Sequence, residues 1–269
     1  MTNPTQTKAQ IKYLEVQQSS SATFRQLHTS HFLLLRICSG EKVIIDEAGE
    51  KTRVRSGEFA YLRRGERLTV SNLVDDEGLY RAEGFVINEA AMLNCRKDAQ
   101  VDDLSCKSRA GAMHEEFSYA FSRLVGVLTN GTVSDRILLH RFKELTIWMQ
   151  EAGVALEPTS PSAVTARLRD LLEADLERAW RSEDAAQALG LSESTLRRKL
   201  SKENTRFSQE LRDARLSKAL MLIQTTDRSL SEIAFASGFS SQSRFNEAFK
   251  ARFAVSPRNL LVRSGKLSA

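Results

Sequence analysis

Two segments of the chain, 183–201 and 230–252, repeat one plan of a short helix, a glycine and a second helix. Gly190 in the first segment and Gly238 in the second permit the positive φ that ends a helix and turns the chain. Such a turn packs two short helices together and leaves one face of the second helix free. The repeat therefore predicts two helix-turn-helix units within one all-α domain.

The second segment contains a start signal for each of its helices. Ser229 and Glu232 have the spacing of a capping box, which predicts that the first helix begins there. Ser241 predicts the cap of the second helix. Three aromatic residues at four-residue spacing share one face of that helix and predict its buried side: Phe245, Phe249 and Phe253.

The first segment follows the same plan with smaller side chains. Ser182 predicts the cap of its first helix, and Ser192 predicts the cap of its second helix. Leu196 and Leu200 repeat the inward spacing of the phenylalanines. Residues 208–224, between the segments, predict one longer helix that would hold the two units at a fixed separation.

The outward faces of the two second helices bear side chains that can hydrogen-bond to DNA. Arginine pairs with guanine in the major groove, glutamine and asparagine pair with adenine, and short or cationic side chains contact phosphates. The candidates for base reading are Ser194, Arg197, Arg198, Gln242, Ser243 and Asn246. The candidates for phosphate contact are Ser192, Lys199, Ser241, Arg244 and Lys250. The alternative is a pair of helical hairpins with solvated polar faces.

The distribution of charge supports a nucleic-acid partner. Residues 162–269 contain 19 Lys and Arg against 13 Asp and Glu, a net charge of +6. Residues 1–161 have a net charge of −1, so the excess of +5 in the whole chain lies in the half with the repeated segments. Neutralisation of phosphates requires such a basic surface. Because +5 is modest for 269 residues, a non-specific DNA coat is disfavoured.

Residues 163–263 resemble the DNA-binding domain of AraC/XylS-type bacterial transcription regulators. The matching stretches are 215–223, 231–234, 238–245, 249–250 and 256–260. The resemblance implies seven helices whose two helix-turn-helix units enter adjacent major grooves of promoter DNA. It also implies a sequence-specific regulator, in the first place an activator, that recruits RNA polymerase. Ala254 departs from the family's usual glycine, and Leu260-Leu261 replaces an aromatic-Arg pair.

The N-terminal half predicts a different kind of domain. Residues 1–22 are polar and predict a flexible arm. Within 23–152, short apolar runs separated by glycine-containing turns predict an antiparallel β-barrel or sandwich. We expect its interior to be filled by Leu33, Leu35, Ile37, Phe59, Tyr61 and Leu62. It resembles the cupin-like regulatory domain that AraC-type proteins often contain.

The predicted fold class is therefore α+β: an N-terminal antiparallel β-barrel with two helices, followed by an all-α double helix-turn-helix domain. Residues 153–162 predict the linker between them, because glycine and two prolines interrupt the helical pattern. We expect Gly153 to have no special backbone requirement there. The N-terminal domain is expected to bind a small-molecule effector, a regulatory protein, or neither.

The two helices of the N-terminal domain have more apolar surface than a small β-barrel needs. The surplus predicts a homodimer surface, and the resemblance implies the same role. The dimer candidates are Phe117, Phe121, Leu124, Leu138, Leu145 and Trp148. The alternative is that all of these residues belong to the intramolecular core.

The sequence gives no sign of catalysis, of a cofactor or of a metal site. Its four histidines are scattered and lack the ligand spacing of a metal-binding cupin. The DNA-repair alkyltransferases that have an AraC-type module need a Pro-Cys-His nucleophile and a four-cysteine zinc site, and this chain has neither. Three cysteines cannot all pair, and no apolar run approaches the ~20 residues of a membrane span. These observations predict a non-enzymatic cytoplasmic protein.

Overall fold

The computed structural model describes residues 10–29, 31–96, 109–130, 133–154, 156, 164–226 and 228–260. The chain divides into two compact units. Unit 1 comprises residues 1–22, 31–66 and 70–158, and unit 2 comprises residues 23–30, 67–69 and 159–269. Among the described residues, no helix is both long and apolar enough to cross a membrane.

The described strands form two sheets. They are β1 (Ile11–Gln18), β2 (Ala22–His28), β3 (Phe32–Ser39), β4 (Glu41–Ile45), β5 (Lys51–Arg55), β6 (Glu58–Leu62), β7 (Arg67–Leu73), β8 (Tyr80–Ile87) and β9 (Ala110–Ala112). One sheet has the order β1-β8-β3-β6-β9, and the other has the order β2-β7-β4-β5. The predicted α+β class is confirmed, but two separate sheets take the place of one closed barrel.

The described helices follow the predicted division of the chain. Unit 1 contains α1 (Glu89–Arg96), α2 (Glu115–Asn130) and α3 (Asp135–Glu151). Unit 2 contains α4 (Val164–Ala174), α5 (Ser182–Ala188), α6 (Glu193–Lys202), α7 (Phe207–Thr225), α8 (Leu230–Ala236), α9 (Gln242–Phe253) and a 3₁₀ turn at Pro257–Leu260. The pairs α5–α6 and α8–α9 are the two predicted helix-turn-helix units.

The prediction of a flexible arm over residues 1–22 is corrected by strand β1. Ile11, Leu14 and Val16 are buried, and the strand pairs with β8 from Ile11 opposite Ile87 to Gln18 opposite Tyr80. Leu14 and Val16 alternate with the polar Glu15 and Gln17, and Ile11 lies on the other face of the strand, so the segment looks polar on average although it contains buried residues on both faces. Residues 1–9 lie outside the described residues.

The predicted sheet interior mixes two faces of the first sheet. Strand register places Leu34 opposite Tyr61 on one side and opposite Phe85 on the other, so these three side chains share a face. That face packs against α2, where the rings of Phe59 and Phe117 are 5.2 Å apart. Because side chains alternate along a strand, Leu35 and Ile37 lie on the opposite face of β3 from Leu34.

The dimer candidates are corrected by burial. Phe117, Phe121, Leu124, Leu138 and Leu145 have no exposed surface, and Trp148 packs against the same core. They join α2 and α3 to the first sheet, which is the intramolecular alternative that the sequence left open. The large exposed apolar side chains of these two helices are Tyr119, Ile137 and Ile147.

The expectation for Gly153 is wrong. The residue follows α3 and has a φ of +80°, and its N–H donates to the carbonyl of Gln150 at 2.8 Å. It is therefore a helix-terminating glycine, which needs the left-handed region. Most of the predicted linker, residues 155 and 157–163, lies outside the described residues.

Unit 2 differs from the predicted boundary of the C-terminal domain because it includes residues 23–30 and 67–69. The rings of Phe24 and Phe253 are 5.6 Å apart in an edge-to-face arrangement. Arg67 Nη2 lies 2.7 Å from Oε1 of Glu210, a carboxylate without exposed surface that also pairs with Arg169. A buried carboxylate needs such partners, since an unpaired one is costly in a protein interior.

Candidate nucleic-acid interface

The second helix-turn-helix unit begins with a complete capping box. The Glu232 N–H donates to Ser229 Oγ at 3.3 Å, and the Ser229 N–H donates to Glu232 Oε2 at 2.8 Å. Hydrogen bonds from the side chain and backbone of Ser229 hold the pKa of Glu232 below its ordinary value. Ser241 Oγ accepts from the Arg244 N–H at 3.3 Å, so α9 begins where the sequence predicted.

The turn between α8 and α9 is held against the segment that follows α4. Gly238 has a φ of +80°, and a Cβ placed there would lie 2.0 Å from the carbonyl oxygen of Leu176. Arg215, on α7, donates from Nε to the same oxygen at 3.3 Å and from Nη2 to the carbonyl of Arg178 at 3.1 Å. Only glycine fits this turn, because both the backbone angle and the neighbouring carbonyl exclude a side chain.

The first helix-turn-helix unit is built more loosely. Ser192 Oγ accepts from the Thr195 N–H at 3.2 Å and caps α6 as predicted. Gly190 has a φ of +70°, but a Cβ there would meet no heavy atom within 4 Å. The predicted cap at Ser182 is corrected by one residue: Arg181 holds the cap position, and its N–H donates to Asp184 at 3.4 Å.

The exposed side of α6 contains Ser194, Arg197, Arg198 and Lys199, while Leu196 and Leu200 face the core of unit 2. These four candidates therefore project from a helix whose opposite face is fixed. Ser192 is exposed as well, although its hydroxyl is engaged in the cap. The helix thus presents three adjacent cationic residues to solvent.

The exposed side of α9 contains Gln242, Ser243, Arg244 and Lys250. Asn246 departs from the prediction, because it is half-buried and its buried Oδ1 has no hydrogen-bond partner among the described residues. Ser241 is half-buried and engaged as the cap of the helix. Phe245, Phe249 and Phe253 form the inner face, with successive ring centroids 5.5 and 4.6 Å apart.

The sequence reasoning missed further polar residues on this side of unit 2. Glu247 is not one of these, because the sequence already placed it on the outward face of α9, where it is exposed and accepts a hydrogen bond from Ser243 Oγ at 3.4 Å. An open groove of about 1090 Å³ is lined by residues that include Arg181, Arg212 and Arg244. Arg212 lies on α7, which the sequence predicted only as a spacer, so no local pattern marked it.

Glu203 links α6 to α4. It follows the last residue of α6, and its carboxylate accepts from the N–H groups of Val164 at 3.1 Å and Thr165 at 3.0 Å. Burial opposes the ionisation of Glu203, but hydrogen bonds from Thr165 and Val164 outweigh it and lower its pKa. A carboxylate at a helix N-terminus also complements the helix dipole.

Within the described residues, no three His, Cys, Asp or Glu side chains are arranged to hold a metal ion. Cys38 is a half-buried free thiol. Burial raises its pKa, and the nearby carboxylate of Glu83 acts in the same direction. Such a thiol is less nucleophilic at neutral pH than an ordinary cysteine. The side chain of Cys95 and residue Cys106 lie outside what the structure describes.

Comparisons with known proteins agree with this geometry. Residues 185–263 match a family model described as a helix-turn-helix domain. The DNA-binding dual transcriptional regulator Rns of Escherichia coli is 37% identical over 104 residues, which are 39% of each chain. The HTH-type transcriptional activator CfaD of Escherichia coli is 36% identical over 104 residues, again 39% of each chain. The HTH-type transcriptional regulator YdeO of Shigella flexneri is 37% identical over 128 residues, 45% of this chain and 50% of YdeO.

These matches cover two fifths to half of the relatives' length. A fold likeness extends further. The crystal structure of ToxT from Vibrio cholerae with an unsaturated fatty acid bound has a TM-score of 0.67 and 16% identity. The likeness covers 94% of this chain and 95% of that chain. The chain therefore has the fold of that structure over nearly its whole length.

Proposed function

Because residues 185–263 match the family model of a helix-turn-helix domain, we propose that this protein is a sequence-specific DNA-binding regulator of the AraC type that activates transcription. The observation that carries the proposal is the pairing of two capped helices, α6 and α9, within one unit. Each buries an apolar face and exposes cationic side chains, and α9 also exposes the amide of Gln242. Promoter DNA is the partner whose bases and phosphates these groups would contact.

The exposed residues divide by chemistry. Arg197 and Arg198 can each present two donors to O6 and N7 of guanine, and Gln242 can pair with adenine. Lys199 and the phosphate candidates of α9 would fix the position of the protein on the DNA and its affinity, rather than the choice of sequence. The half-buried Asn246 is the weakest of the six base-reading candidates, because its amide is less accessible than the other side chains.

The two helix-turn-helix units of unit 2 would enter major grooves one helical turn, or about 34 Å, apart. The long helix α7 connects the two helix-turn-helix units. The turn at Gly238 holds the second helix-turn-helix unit against the segment that follows α4. An activator bound in this way would recruit RNA polymerase, and in a bacterium it would act in the cytoplasm. The names of CfaD and PerA, both transcriptional activators, support activation, and the name of Rns, a dual regulator, leaves repression as a second role.

Two further roles are proposed for unit 1. The crystallised ToxT holds an unsaturated fatty acid, which supports a small-molecule effector for the matching fold here; a regulatory protein is the alternative. A homodimer is proposed through the exposed Tyr119, Ile137 and Ile147 in place of the buried candidates. Sedimentation of the full chain as a monomer at micromolar concentration would contradict the dimer.

The DNA-binding proposal is tested by selecting sites from random duplex DNA with the purified full-length protein. We expect a two-part motif with centres one helical turn apart, bound in a salt-dependent manner. Replacement of Arg197 and Arg198 by Ala should erase one part of the motif, and replacement of Gln242 by Ala should alter the other. Failure to enrich any sequence, with binding that depends on salt alone, would contradict sequence-specific regulation.

A further inference from the structure

The second helices of the two helix-turn-helix units, α6 and α9, place opposite charges at the same position. Ser192 caps α6 and Ser241 caps α9. Arg198 is the sixth residue after the first cap, and Glu247 is the sixth residue after the second cap. Both side chains are exposed. A position that holds a cation in one helix therefore holds an anion in the other.

Helical geometry puts Glu247 at the centre of the outward face of α9. It lies two residues after Phe245 and two residues before Phe249, and both rings are fully buried. Two residues correspond to about 200° around an α-helix, so Glu247 projects away from the inner face. Ala251, four residues later, is exposed on the same side. Its small methyl group allows this face to approach another surface closely.

Glu247 is a carboxylate that no cation neutralises. Arg244 and Lys250 are three positions before and after it, but among the described residues Glu247 forms no ion pair. Its Oε1 accepts a hydrogen bond from Ser243 Oγ at 3.4 Å. That bond orients the carboxylate and leaves Oε2 available to a donor outside the chain.

The surroundings of Glu247 are otherwise cationic. It lines the open groove of about 1090 Å³ in unit 2, and three exposed arginines line the same groove: Arg181, Arg212 and Arg244. The phosphates on both sides of a major groove would attract these arginines and repel the carboxylate. A carboxylate at the centre of such a face therefore weakens DNA binding unless a base donates a hydrogen bond to it.

Only two bases can donate a hydrogen bond in the major groove. Cytosine presents its N4 amino group, and adenine presents its N6 amino group beside the N7 acceptor. Guanine and thymine present acceptors and no donor there. A carboxylate has no hydrogen to give to N7 of adenine, so cytosine is the base that suits it best.

We propose that Glu247 is a specificity-determining residue that accepts a hydrogen bond from the N4 amino group of cytosine, with Ser243 as its positioning residue. The inference rests on the proposed function, because it needs α9 to lie in the major groove of DNA. The two parts of the motif then differ in a defined way. Arg198 selects guanine in one part, and Glu247, at the equivalent position, selects cytosine in the other.

The test begins with site selection by the full-length protein and continues with affinity measurements on the selected duplex and on its three base variants at the assigned position. The proteins are the unaltered chain, Glu247→Gln, Glu247→Ala, Ser243→Ala and Ser243→Thr. The matched control is Glu183→Gln, which removes an exposed carboxylate from α5. It measures the general effect of one negative charge less in unit 2.

The unaltered protein and Glu183→Gln should prefer cytosine by about five- to a hundredfold. Glu247→Gln should prefer adenine instead, because glutamine pairs with both N6 and N7. Glu247→Ala should bind all four duplexes with similar affinity. Ser243→Ala should reduce the preference for cytosine about two- to fivefold, and Ser243→Thr, which keeps a hydroxyl, should retain it.

A duplex with pyrimidin-2-one in place of that cytosine lacks the N4 amino group. It should lose affinity for the unaltered protein and not for Glu247→Ala. If the unaltered protein enriches no motif, the proposed function fails and this inference fails with it. If a motif is enriched and Glu247→Gln keeps every base preference, the inference alone is overturned. A simultaneous loss of promoter activation in a reporter assay would then assign Glu247 to a protein partner.

Discussion

The turn at Gly238 allows a paired test of how the second helix-turn-helix unit is held. Gly190 and Gly238 both follow the first helix of a unit and have similar φ values, +70° and +80°. They differ in surroundings, because a Cβ at Gly190 meets nothing within 4 Å. At Gly238 it would lie 2.0 Å from Leu176 O and 2.6 Å from Arg215 Nε. The same substitution, glycine to alanine, therefore separates backbone strain from the clash.

The expected losses of unfolding free energy follow from the backbone strain and the clash. A side chain in the left-handed region costs about 1–2 kcal/mol, and this term applies to both variants. At Gly238 the obstructing atom is a backbone carbonyl oxygen, which cannot rotate away, so overpacking adds about 1–3 kcal/mol. We expect Gly190→Ala to lose about 1–2 kcal/mol of unfolding free energy and Gly238→Ala about 2–5 kcal/mol.

Urea unfolding of both variants measures these losses, and a shift assay on a selected site measures DNA binding. The Gly238→Ala protein should bind the site weakly even where it is folded, because relief of the clash must move the turn that positions α9. Gly190→Ala should retain most of its affinity. If the two variants lose equal stability and equal affinity, the contact with Leu176 does not hold the second unit, and the reasoning fails.

Four shorter predictions concern single side chains. Arg198→Ala should weaken specific binding by about 1–3 kcal/mol and relax one base position; an unchanged preference in a randomised-site shift assay would contradict base reading. Lys250→Ala should weaken all sequences equally and reduce the salt slope by about 0.9; a sequence-selective loss would contradict phosphate contact. Glu203 is stabilised as a carboxylate in the folded protein, so it should add to the free energy of unfolding above its ordinary pKa of 4.5, and this addition should be lost as pH falls through its lower folded pKa. The difference in unfolding free energy between the unaltered protein and Glu203→Gln, measured by urea unfolding, should therefore vanish on acidification. Ala254 holds a φ of +57°, so Ala254→Gly should raise stability by about 1 kcal/mol in the same assay; a loss would show that its methyl group packs.

Much of unit 2 was predictable because its signals are local. A serine cap, a glycine turn and a stripe of phenylalanines each act within one or two turns of helix, so α8 and α9 were placed to within a residue. The outward position of Arg197, Arg198 and Lys199 followed from the same helical spacing. The Ser182 cap missed by one residue, which is the usual uncertainty at a helix end.

The features that the sequence did not predict depend on residues that are far apart in the chain. Strand β1 pairs with β8, about 70 residues later, and no pattern within β1 identifies that partner. The apolar faces of α2 and α3 were predicted, but the sequence of the helices alone does not show whether these faces pack on a sheet or on a second subunit. That depends on whether the sheet offers an apolar face to cover. Likewise Lys42 has the sequence setting of an ordinary strand lysine, but it is buried together with Val43 and Ile44 on β4.

The composition of unit 2 has a consequence for the making of the protein. Arg252 donates to the carbonyl of Arg25, a residue 227 positions earlier, and Phe253 packs on Phe24. At 5–20 residues per second, a ribosome needs about 11–45 s to synthesise the chain between those two arginines. Phe24 and Arg25 on β2 therefore gain their partners on and beside α9 only after that interval. A nascent chain that has not reached α9 lacks both these contacts and the second helix-turn-helix unit, so unit 2 cannot be complete before α9 is made.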